Sequence, residues 1–146
     1  MAICAIVLGG CGEAAAPTPA PNDPLTGPAL IKGTAAVQNA YAAYEAVLSN
    51  PQRQSGDLAT SKAFAGDVRA ALDEFDATLR EQSFGPGVRE RVTATLAASG
   101  ALSTALDSAS KAATMELFAE DAVAIDGRVA ELARAWGALD RALQEL

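Results

Sequence analysis

The acid–base candidates that remain in this 146-residue chain are its carboxylates. Asp73, Glu74 and Asp76 fall together in one segment, and Glu116, Glu120 and Asp121 in another. Two or three oxygens from either segment could hold a hard cation weakly, but neither has the alternating acids and central glycine of a calcium loop. Solvated helix faces carry the same residues, and we read both clusters that way, with no metal. Histidine is missing from the sequence, which removes the usual general base, the Ser/His and Cys/His dyads, most zinc and copper sites and the standard haem ligand. The Glu-x-x-His pairs that build di-iron sites in helical bundles go with it. Gly85-Pro86-Gly87 lacks the spacing and the following Lys-Ser/Thr of a phosphate loop. Tyr41, Tyr44 and Trp136 are the side chains best suited to stack on a ligand or partner, although such a tyrosine pair more often buries its rings and wets its hydroxyls. The expectation is a non-enzyme without a cofactor.

From Ala2 to Gly10 every residue is apolar or small, and the run closes on Leu8-Gly9-Gly10-Cys11 before a Pro/Ala-rich stretch. An apolar run ending in a branched aliphatic residue, two small residues and cysteine resembles the signal segment and lipobox of bacterial lipoproteins. The resemblance covers the first dozen residues. It implies that residues 1–10 are removed and that Cys11 carries a diacylglyceryl group on its sulfur. No Lys or Arg precedes the run, so we expect a charged n-region upstream of Met1. At that length the run falls short of the ~20 apolar residues of a membrane span. Gly12 follows the cysteine, and in double-membraned bacteria similar proteins with no Asp there pass to the outer membrane. The implied location is the cell envelope, lipid-anchored at the outer membrane or cell surface.

Residues 11–27 hold Pro17, Pro19, Pro21 and Pro24 among Ala, Thr and Asn, too poor in large apolar groups to fold. In extended polyproline form, at about 3.1 Å per residue, this tether would lift the following domain by roughly 50 Å at most. With Cys4 in the removed segment and Cys11 lipidated, no disulfide is available to the mature domain. The net charge of -7 opposes adsorption to anionic lipid or nucleic acid. Membrane attachment therefore falls to covalent lipid, and no nucleic-acid partner is expected.

Residues 28–146 predict one helical domain. Hydrophobic residues make up 50% of the chain and aromatics only 5%, so its apolar content is mostly Ala, Leu and Val, which favours close-packed helices over a sheet. The punctuation and periodicity predict helices at about 28–49, 57–82, 86–112 and 116–145. Pro28 opens the first, and Pro51 ends it. Ser55 or Asp57 caps the second, whose Phe64, Val68, Leu72, Phe75 and Leu79 form one face while charges, Asp76 and Arg80 among them, take the other. The third has no charge from Val92 to Leu106; small residues there suit a helix surrounded by neighbours, or one wall of an apolar pocket. The fourth carries a seam through Phe118, Ile125, Val129, Leu132, Trp136, Leu139, Leu143 and Leu146, with a turn near Ala113-Thr114 before it. Trp136→Ala should cost about 3–5 kcal/mol if the residue sits in that seam.

Four amphipathic segments with short connections predict an all-α, up-down-up-down four-helix bundle. The expected role is a partner-binding or structural module presented to an unknown envelope protein. The alternative is a carrier of a small apolar ligand held between the helices. The regular fourth seam could also pair two copies into a homodimer.

Overall fold

The computed structural model describes residues 24–50 and 56–146. Cys11 and its lipobox, Ser55 and most of the tether lie outside them. Four helices follow in order: α1 Gly27–Leu48, α2 Leu58–Glu81, α3 Pro86–Lys111 and α4 Met115–Gln144. Each boundary falls within one residue of the expected one. Consecutive helices pack side by side, α1 on α2, α2 on α3 and α3 on α4. The ring closes where Tyr41 of α1 stacks on Trp136 of α4 and Gln38 Nε2 donates to Asp140 Oδ1 at 2.8 Å. This is the all-α four-helix bundle.

The ends are set by local chemistry. Asp57 Oδ1 accepts from the Thr60 N–H at 2.7 Å, and Thr114 Oγ1 from the Leu117 N–H at 3.3 Å, each satisfying a donor that a helix start leaves free. Those hydrogen bonds hold the Asp57 carboxyl below the usual carboxylate range. Pro28 and Pro86 stand in the first turns of α1 and α3, where a missing N–H costs nothing. No glycine or proline marks the α3–α4 turn; it is fixed instead by the Thr114 cap and by Lys62 Nζ, which donates to the Ala112 carbonyl at 3.0 Å. Arg69 of α2 and Lys111 of α3 both pair with Asp107.

Leu25, assigned to the tether by composition, belongs to the fold. Its N–H donates to the Ser83 carbonyl in the α2–α3 connection at 2.7 Å, and its side chain packs against the core. Gly33 makes room for it, since a Cβ there would lie 2.7 Å from Leu25 Cδ1 and 2.6 Å from Gln82 Oε1. Gly27 joins this docked segment to α1 with φ +53°, a left-handed conformation that an L side chain adopts at a cost of about 1–2 kcal/mol. Gly27→Ala is expected to destabilise the domain by about that amount in thermal melts followed by circular dichroism. A melt unchanged by the substitution would show that the turn is not held in this geometry.

Val37, Val68, Leu72, Phe75, Leu79, Leu102, Leu132 and Leu139 are fully buried, so all four helices contribute to one core. Thr95, Ser99 and Leu102 are buried as well, so the uncharged stretch of α3 packs against its neighbours. Two expectations fail at single residues. Leu146 stands past the end of α4 and is 61% exposed, outside the seam. Asp76 faces the core rather than the charged side of α2. It lies four residues after Leu72 and three before Leu79, which is the apolar stripe of that helix.

Candidate functional site

The three aromatic residues singled out from the sequence do meet, but inside the bundle. Tyr41 and Trp136 stack with centroids 4.3 Å apart and ring planes 14° from parallel. Phe75 presents its edge to both, at 5.4 Å and 5.7 Å. Tyr41 and Tyr44 are buried, and Trp136 is half-buried against the core. A ligand surface at Tyr41, Tyr44 and Trp136 is thus replaced by an aromatic cluster that pins α1 to α2 and α4. The Tyr44 hydroxyl is not wet as such pairs usually are; it is buried without a hydrogen-bond partner, and burial pushes its pKa up to about 12. Trp136, expected within the seam, is only half-buried and packs against the core from its edge.

The acidic clusters do not assemble a site. Asp73 and Glu74 are exposed while Asp76 turns inward, and among the described residues no three acids or cysteines gather to hold a metal ion. Asp76 is 6% exposed. Its Oδ2 accepts from Arg80 at 3.2 Å, whereas Oδ1 is buried without a partner. Burial raises the carboxyl above its usual range, and Asp73 adds to that; Ser99 of α3 and the Arg80 guanidinium offset it in part. Ser99 stands close enough to ease ionisation, yet its Oγ and Asp76 Oδ1 do not reach hydrogen-bond geometry.

One feature with room for another molecule is a cleft that no single helix announces. It is about 500 Å³ in volume and lies among the C-terminal end of α1, the start of α2 and the first half of α4. Leu48 closes one end, Phe64, Ala65 and Val68 form one wall, and Phe118, Ala122, Ile125 and Val129 form the other. Ser61 and Asp126 supply the polar groups, and Leu106 is the one residue of the uncharged α3 stretch that reaches it. The size and the mostly apolar lining with a few polar groups are those of ligand and peptide sites. Its opening follows from unequal helix lengths, 22 residues for α1 against 30 for α4.

The fold and cleft define the class: a four-helix bundle with an open apolar cleft at one end. No family model, curated protein or solved structure matches the chain. Among the described residues, no helix is long and apolar enough to cross a membrane.

Proposed function

We propose that this is a lipid-anchored cell-envelope protein, held through Cys11, whose helical domain is a non-catalytic binding module working through the cleft. The observation that carries the binding role is a mostly apolar cleft of about 500 Å³ that stands open between α1, α2 and α4. The lipobox motif supports the anchor. A domain whose carboxylates are dispersed or buried, with no histidine, supports binding over catalysis.

Two measurements test the two halves separately. The mature polypeptide weighed from its native host should begin at Cys11 and carry the added mass of acyl chains; an unmodified cysteine overturns the anchor. A photo-crosslinking residue at Ile125, in the cleft wall, should trap a defined envelope component in living cells. The same residue at Glu90, exposed on α3, should not. Equal labelling from both positions overturns the binding site.

A carrier of a small apolar ligand is the alternative, favoured by the same lining. Native mass spectrometry of the purified protein distinguishes it, because a carrier should retain a hydrocarbon that Ala122→Phe releases. A cleft that purifies empty and binds no hydrocarbon probe removes this role.

A further inference from the structure

We propose that the end of the bundle where α1 begins and α4 finishes is a bilayer-docking surface, with Ile31 and Leu146 seated in the headgroup region of a phospholipid membrane. This deepens the lipid-anchored role and rests on it.

The surface belongs to α1 and α4 together. The first turns of α1 and the last turn of α4 leave a groove of about 400 Å³ between them, lined by Leu30, Ile31, Thr34, Ala35, Leu143 and Leu146 among others. Two of these stand out into solvent: Ile31 is 72% exposed and Leu146 61%. None of the lining residues is charged. Asp140, whose partner Gln38 lines the groove, is held by Gln38 and Gln144. Large apolar side chains that share one exposed groove mark a contact surface, whereas scattered ones do not.

Charge favours this side over the others. From Gly27 to Tyr44 α1 carries one charged residue, Lys32, in a chain of net charge -7. Every other helix exposes acids: Asp73 and Glu74 on α2, Glu90 on α3, and Glu116, Glu120 and Asp126 on α4. At the groove's own end the exposed charges of α1 and α4 are Lys32, Arg141 and Glu145. Pressing another side of the bundle against a membrane would strip water from carboxylates, a cost that the first half of α1 avoids. Lys32 has the reach to lay its methylenes on apolar surface and hold its ammonium at the level of the lipid phosphates.

Position points the same way. Leu25, bonded to Ser83, brings the chain in at this end, and Cys11 precedes it by 14 positions. Two large side chains are too few for a standard protein interface of about 800 Å² per partner. They suffice for a bilayer already held close, because a short tether sets an effective concentration of roughly millimolar. Docking here also turns the cleft away from the membrane, since Leu48 and Phe118 stand at the opposite ends of α1 and α4.

The test joins the full Cys4→Ser chain through Cys11 to a maleimide phospholipid in phosphatidylcholine vesicles. A photo-crosslinking residue at Ile31 should label phospholipid about tenfold more than the same residue at Glu90, exposed near the start of α3 and so at the same end of the bundle. With the crosslinker moved to Ala35, Ile31→Asp should bring labelling down to the Glu90 level, and circular dichroism should show an unchanged fold because the side chain is exposed. Equal labelling from Ile31 and Glu90 overturns the inference, and so does capture of a second copy of the chain in place of lipid. The coupling is chemical, so native acylation does not decide the outcome. An unmodified Cys11 in the host, with Ile31 labelling intact in vesicles, removes the anchor and leaves the docking surface. An acylated Cys11 without Ile31 labelling removes the docking surface and leaves the anchor.

Discussion

Phe75→Ala is expected to destabilise the domain by about 3–5 kcal/mol, the usual cost of removing a fully buried ring. For a domain of this size that lowers the melting temperature by roughly 10–20 °C. Phe75 is completely buried and edges against both Tyr41 and Trp136, so the substitution opens a cavity at the point where α1, α2 and α4 meet. Trp136→Ala should fall at the lower end of that range, because Trp136 is only half-buried, although it forfeits the stack on Tyr41. The two losses share partners and should not add. Chemical denaturation of the two single variants and the double variant measures this. A Phe75→Ala domain that unfolds at the wild-type midpoint would rule out the aromatic cluster as the closure of the bundle.

Asp76→Asn should stabilise the protein at neutral pH, by about 1–3 kcal/mol for a buried acceptor left unpaired. The amide has the same shape, carries no charge to desolvate, and can donate toward Ser99. The pH dependence gives the sign independently. Burial raises the folded-state pKa above the unfolded value, so between the two the folded state holds more protons. Wild-type stability therefore falls as pH rises from the unfolded pKa, near 4, through the raised folded value, and is level beyond it. Arg80 and Asp73 are the charged groups that act on Asp76, and Ser99 is the neighbour from α3. The gain from Asp76→Asn should be small at about pH 3.5 and full at neutrality, as read from melts across that interval. An advantage independent of pH would show that the carboxyl is not desolvated.

The elements were legible because their signals are local. Pro28, Pro51 and Gly85-Pro86-Gly87 punctuate the chain, and the steps through Leu132, Leu139 and Leu143 mark α4 without reference to any other helix. Asp76 was legible too, on the stripe of Leu72 and Leu79, but its i,i+4 partner Arg80 suggested an exposed ion pair instead. The tyrosines illustrate a harder case. Tyr41 and Tyr44 share a face in any helical drawing, but whether that face meets solvent or Trp136 depends on a residue nearly a hundred positions away. The cleft lay further out of reach, since it arises from the difference between two helix lengths once a long-range aromatic stack has fixed their register. Leu25 was lost among prolines for the same reason: it takes its place from Ser83, nearly sixty positions away, and from the room left at Gly33.

That docked leucine has a mechanical consequence. If the segment before it is a leash to a bilayer, any tug on the leash arrives first at the Leu25–Ser83 clasp, not at the opening turn of α1. The load then divides between α1 and the α2–α3 corner. The helix would resist unzipping from its end, so the domain could be dragged by its mooring without losing its shape.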